Sequence, residues 1–96
     1  MKYLAIENEI PGIPHQRFQP LLKAEATRIW ELYQSGLVRE IYFRLDRSEA
    51  VLVLECQDLV QAQGTLASLP LVQEELISFE VIQLIPYPGF ARLFPA

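Results

Sequence analysis

Glu25 is the position in this chain best placed by its surroundings to do chemistry. The stretch around it reads as a helix. Residues set about 100° apart put Phe18, Leu21, Leu22, Ala26, Ile29, Trp30, Leu32 and Tyr33 on one half of the cylinder. Glu25 falls inside that half, between Leu32 and Phe18, and is the only charged residue there. A carboxylate held against apolar walls is harder to ionise, and this tunes a general base toward neutral pH. Two readings are open: such a base, or a carboxylate at the stripe's edge paired with Arg28 three residues on.

Other residues are candidates around it. His15 lies in a Pro-rich loop before the helix and has the one side chain whose unperturbed pKa lies near neutrality; it is either a functional group or, as a lone loop histidine more often is, a solvated surface residue. Lys23 either carries its ammonium over a pocket mouth toward an anionic group on its long apolar stem, or is a solvated helix lysine, the reading its position favours. Trp30 and Tyr33 are aromatic walls for an oxidisable ring. In a second strand, Val38, Glu40, Tyr42 and Arg44 alternate onto one face, with Arg39, Ile41, Phe43 and Leu45 on the other. Glu40, Tyr42 and Arg44 then either line a barrel between subunits, with the Tyr42 ring serving a ligand, or form a salt-bridged edge. Cys56 ends an apolar strand and reads as an inert buried thiol. No Ser-His-Asp order, phosphate-binding glycine loop or metal-binding pair is present.

Composition narrows the classes. The chain has 96 residues, 51% hydrophobic and 21% charged, which is the composition of one globular domain spanning 1–96. Eight basic against twelve acidic residues leave a net charge of −4 without a basic footprint for nucleic acid. One cysteine allows no intramolecular disulfide, and one His with one Cys is a poor set for a metal. No apolar run approaches the roughly 20 residues that span a bilayer, and the start lacks a signal-peptide core, so the expected location is the cytoplasm. A mean hydropathy of +0.17 is high for so small a chain and suggests self-association.

The elements that must position these residues follow from patterning. Tyr3 to Glu7 is β-like, and the segment from Glu9 to Pro20 reads as a structured loop. Leu21 to Ser35 is the first helix, capped by Gly36. Leu37 to Leu45 and Ala50 to Cys56 form a hairpin around Asp46-Arg47-Ser48, the second strand being central and buried on both faces. Asp58 caps a second helix with Gln61 three residues on. Leu59, Ala62, Leu66 and Leu69 make its buried stripe, Gly64 permits close packing, and Pro70 stops it. Phe79 to Ile85 is the last strand, followed by an apolar tail over 86–96.

The order β-α-β-β-α-β is an α+β, ferredoxin-like subunit: a four-stranded antiparallel sheet with two helices on one face. The other face is too apolar to stay wet, since the third strand shows it either Val51 and Val53 or Leu52 and Leu54. A second copy of the chain is the simplest cover, making a dimeric α+β barrel.

Leu22-Lys23-Ala24-Glu25, with Glu31-Leu32 and Gly36, resembles the first helix of the muconolactone delta-isomerase-like family. Ile13-Pro14-His15 is similar to the loop before that helix, Leu69-Pro70-Leu71 to the stretch after the second helix, and Phe79 to Pro86 to the last strand. The resemblance implies the same subunit, assembled as dimers or larger homo-oligomers. It also implies a pocket between helices and sheet, closed by another subunit's tail, with which the apolar Phe90, Leu93 and Phe94 agree. The family's named enzyme moves a proton within an unsaturated lactone. That chemistry needs a base beside an acidic C–H and a donor or cation near the developing enolate. The matches carry over at Lys23 and His15, which would stabilise charge beside Glu25. The strand Leu37 to Leu45 and the tail from Pro86 depart from the family enzyme.

Two classes of function therefore stand. One is a cofactor-free enzyme that moves a proton in a small molecule, or a cofactor-independent monooxygenase on the same barrel. It requires Glu25 in a closed pocket with His15 or Lys23 within reach. The other is a non-catalytic oligomeric module for a small ligand or partner. It requires Glu25 paired with Arg28 at the surface and a pocket filled by the protein's own side chains.

Overall fold

The structure, a computed structural model, describes residues 1–95. Its elements run β1 (Lys2–Glu9), α1 (Leu22–Ser35), β2 (Val38–Phe43), β3 (Ala50–Glu55), α2 (Leu59–Ala67), the single-turn α3 (Pro70–Gln73) and β4 (Ile77–Leu84). Short 3₁₀ turns at His15–Arg17 and Gln19–Leu21 fill the loop before α1, and another spans Pro88–Leu93. The four strands form one antiparallel sheet in the order β2-β3-β1-β4, the ferredoxin-like arrangement.

Alternation along the strands decides which side chains meet the helices. Tyr3, Ala5 and Glu7 of β1 and Ala50, Leu52 and Leu54 of β3 point inward and are buried. Leu32 of α1 and Ala62 and Leu66 of α2 pack onto them in one continuous core. The opposite face carries Leu4, Ile6, Val51 and Val53, all half-buried, with Ile82 and Leu84 exposed beside them. β3 is thus interior to the sheet, with its inner face closed by the helices of the same chain.

The helix ends obey local chemistry. Gly36 closes α1 at φ 86°, a left-handed conformation that a side chain disfavours. Asp58 Oδ1 accepts from the Gln61 amide at 2.8 Å, while Gln61 Oε1 accepts from the Gln57 amide at 2.6 Å. This satisfies two amides at the head of α2.

Four local expectations are corrected. Pro70 does not simply stop a helix: it opens α3 at a first-turn position, where its missing N–H costs nothing. Leu59 is exposed, and Thr65 takes a place in the buried stripe of α2, its hydroxyl bonded to the Gln61 carbonyl. The buried stripe of α1 is narrower than the apolar half-cylinder. It runs through Leu21, Glu25, Arg28, Ile29 and Leu32, and leaves Leu22, Trp30 and Tyr33 exposed. Finally, a register shift between Val38 and Glu40 breaks the alternation of β2. Val38 pairs with Leu54 on the inner face, whereas Glu40 and Tyr42 pair with Val53 and Val51 on the outer one. An inserted residue reverses the facing of all that follows.

Candidate functional site

Between α1 and one end of the sheet lies a cavity of about 300 Å³, at the lower end of the size range for small-molecule sites. Its walls are mostly apolar. Phe18, Leu22, Ala26 and Ile29 come from the α1 side, Ile41, Phe43, Ala50 and Leu52 from the hairpin, and Leu71 and Phe79 from α3 and β4. Four polar residues interrupt them: Glu7, Glu9, Glu25 and Ser48.

Glu25 enters from the inner side of α1, half-buried. Its Oε1 accepts from the Leu71 amide at 3.0 Å. That amide belongs to the first turn of α3, where no side chain of α3 itself provides a cap. Glu25 thus caps a neighbouring helix and is held in place by it. Burial raises its pKa above the ordinary carboxylate value, against the lowering pull of the Leu71 amide. Arg28 does not pair with it. Arg28 Nε donates to Ser68 Oγ at 2.9 Å, and its Nη1 lies 3.3 Å from Glu31 Oε1.

Glu7 was not among the sequence candidates. It is only 7% exposed, on the inner face of β1, paired with Phe79 of β4. The β1–β3 ladder ends at Ile6 and Val51, and the next amide, Ala50 N–H, donates to Glu7 Oε1 at 3.2 Å. Glu7 Oε2 has no hydrogen-bond partner among the described residues. Burial pushes its pKa up to about 7, the Ala50 amide pulls it down, and the neighbouring Glu9, Glu25 and Glu49 raise it further. A carboxyl at this value is near half-protonated at neutral pH and can both give and take a proton.

Glu49 supports this corner. It is 7% exposed, and its Oε2 accepts from the Glu9 amide at 2.8 Å, tying the hairpin turn to the end of β1. Arg47 Nε lies 2.9 Å from Glu49 Oε1, but the alignment leaves that oxygen without a hydrogen bond.

The other sequence candidates lie outside this cavity. His15 sits in a shallow surface hollow with Gln16, Gln19 and Pro20. Its ring packs at 6.3 Å against Phe18, which lines the cavity while the imidazole does not. Lys23 is exposed on the outer side of α1, because the stripe turned inward is centred on Glu25 and Arg28. Trp30 and Tyr33 stack on each other at 6.0 Å and, with Tyr42, border a separate surface groove. The Tyr42 hydroxyl donates to Glu40 Oε1 at 2.7 Å. Arg44 grips Asp46 of the hairpin turn through two bonds of 2.9 and 2.7 Å. Among the described residues no three His, Cys, Asp or Glu side chains are grouped to hold a metal ion. No helix among them is long and apolar enough to cross a membrane.

A ferredoxin-like subunit with a cavity between its first helix and its sheet has the fold of muconolactone isomerase-like proteins. Among the solved structures that carry that likeness are two enzymes. One is muconolactone isomerase, with a TM-score of 0.72 and 20% identity over 93% of each chain. The other is the 5-chloro-2-hydroxyhydroquinone dehydrochlorinase of Burkholderia phenoliruptrix AC1100 in complex with 2,5-dihydroxybenzoquinone. It gives a TM-score of 0.74 and 13% identity over 93% of this chain and 98% of that one. At these identities the likeness is one of fold. No family model matches the chain, and no curated protein matches it in sequence.

Proposed function

We propose that the chain is a small enzyme that moves a proton within an enolisable one-ring molecule, with Glu25 as base and Glu7 as acid. One observation carries this reading: two carboxyls of raised proton affinity meet in an apolar cavity. Glu25 would take the proton from a carbon next to a carbonyl, and Glu7 would hydrogen-bond the oxygen on which charge develops. Returning the proton to a second carbon completes an isomerisation with atoms balanced. The reactions in the names of the two similar structures, an isomerisation and a loss of hydrogen chloride, both involve moving a proton, which suits a carboxyl pair. A cavity left unfilled by the protein's own side chains and the absence of a Glu25–Arg28 pair speak against the non-catalytic module, while His15 and Lys23, expected within reach of Glu25, lie outside the cavity, so Glu7 takes the role expected of them. An oxidisable ring held by Trp30 and Tyr33 has less support, since both lie outside the cavity.

The direct test is solvent exchange. Acetophenone, cyclohexenone and simple unsaturated lactones are incubated with the protein in D₂O and followed by NMR. Catalysed loss of the α-proton signals is expected. Exchange at the buffer rate for every compound overturns the reading.

We also infer that the chain works as a homo-oligomer. Leu4, Ile6, Val51, Val53, Ile82 and Leu84 make one apolar sheet face, and Tyr87, Phe90, Leu93 and Phe94 of the tail are each about two-thirds exposed or more. Water is a poor cover for both. Light scattering at micromolar concentration is expected to give at least twice the 11.0 kDa chain mass. A strict monomer overturns the inference.

A further inference from the structure

The cavity's charge inventory restricts what can enter it. Glu7, Glu9 and Glu25 line it, and no Lys, Arg or His does. The arginines at this end of the molecule are turned to other work: Arg44 is bound to Asp46, and both Arg44 and Arg47 lie against Glu49. An organic anion in the cavity would therefore meet carboxyls with no cation to offset them, in a setting that strengthens repulsion. Glu7 lines the cavity, and its Oε2 has no hydrogen-bond partner among the described residues, while Oε1 is occupied by the Ala50 amide. A protonated carboxyl in that position has one O–H to donate and needs an acceptor.

We propose that this cavity selects an uncharged one-ring carbonyl compound, its oxygen accepting from the Glu7 carboxyl, and discriminates against organic anions. This deepens the enzyme reading and rests on the same cavity. A cation is the other charge class the carboxyls admit. The uncharged class is favoured because apolar side chains form most of the wall, leaving few groups to replace a cation's water. The groups that face Glu7 are Glu9 on its own strand, Glu25 from α1 and Glu49 from the hairpin turn; β4 presents the uncharged Phe79. Raising the pH ionises Glu7 among these acids and removes its O–H, so affinity for a carbonyl compound falls as pH rises.

Three near-isosteric probes separate the classes: acetophenone, benzoate and benzamidinium, titrated against the full chain and followed by amide chemical shifts. At pH 6.5 acetophenone is expected to move the amides of Glu7, Ala50 and Leu71, and to bind at least about tenfold more tightly than benzoate or benzamidinium. Its affinity is expected to fall several-fold between pH 6 and pH 9, and Glu7→Gln, whose amide donates at every pH, is expected to bind it without that fall. Tighter binding of benzoate or benzamidinium overturns the proposal, as does a lack of response at these amides to any probe. The probe series uses the unaltered chain, so the outcome does not depend on the variant folding. Acetophenone that binds as expected yet keeps its methyl protons in D₂O leaves the ligand class standing and removes proton transfer. Preference for a charged probe removes the ligand class whatever the exchange shows.

Discussion

Glu25→Gln is expected to lower catalysed proton exchange by about 10²–10⁴-fold, the usual contribution of a positioned general base. The amide keeps the shape of the side chain but has no basic oxygen. Its carbonyl can still accept from the Leu71 amide, so α3 keeps its cap and the cavity its wall. Glu7→Gln is expected to act differently. Its amide still donates a hydrogen bond to the substrate oxygen but has no proton to transfer, so binding persists and turnover falls. The pH profile distinguishes the two roles. With Glu25 as the base, the rate falls on the acid side as the pair takes up its second proton. With Glu7 as the acid, it falls above about 7, where Glu7 ionises. The two carboxyls interact, so the limbs report the pair rather than either residue alone. In Glu7→Gln the alkaline limb is expected to disappear. A Glu25→Gln protein that exchanges at the original rate removes Glu25 from the chemistry.

Much of this arrangement is written in local pattern. Gly36 ends α1 because one residue must turn left-handed, and Asp58 caps α2 because its carboxylate reaches the Gln61 amide. Glu25 is visible on a helical wheel as a charge among apolar neighbours, and it does face the cavity. Glu7 is harder to see. Tyr3, Ala5 and Glu7 share one face of β1, but Leu4 and Ile6 make the other face equally apolar, so alternation alone does not say which is inside. Only pairing with Leu52 and Leu54, whose own face is set by the helices above them, turns Glu7 inward. The same limit applies to β2. An extra residue after Val38 reverses the facing of Glu40 and Tyr42, and no composition marks it. Lys23 and His15 stand near Glu25 in the chain but not in the cavity. Two residues along a helix is about 200° around it, and the ring beside His15 that reaches the cavity is Phe18.

A buried carboxyl of this kind has a cost in stability, and its sign is definite. Glu7 binds its proton more tightly in the folded chain than in the unfolded one, with a pKa of about 7 against an ordinary 4.5. Below pH 4.5 the group is protonated in both states and its burial carries no ionisation penalty. Between 4.5 and 7 the unfolded chain gives up the proton while the folded chain keeps it, and stability drains away. Above 7 the full penalty is in place. At about 1.4 kcal/mol per pKa unit this amounts to roughly 3 kcal/mol, a large share of a small domain's total. Glu25, shifted in the same direction, adds to it. Denaturant unfolding at a fixed chain concentration, so that any assembly contributes equally, is expected to show the protein less stable at pH 8 than at pH 5. Glu7→Gln is expected to be the more stable protein at pH 8 and to lose most of that pH dependence, because a buried amide does not ionise. Equal pH dependence in the two proteins would mean that Glu7 is solvated and ordinary, and the acid role assigned to it would fall with that result. The gain from Glu7→Gln and the loss of turnover have one origin: a carboxyl kept away from water is poorly solvated when ionised, and for that reason retains a proton near neutral pH.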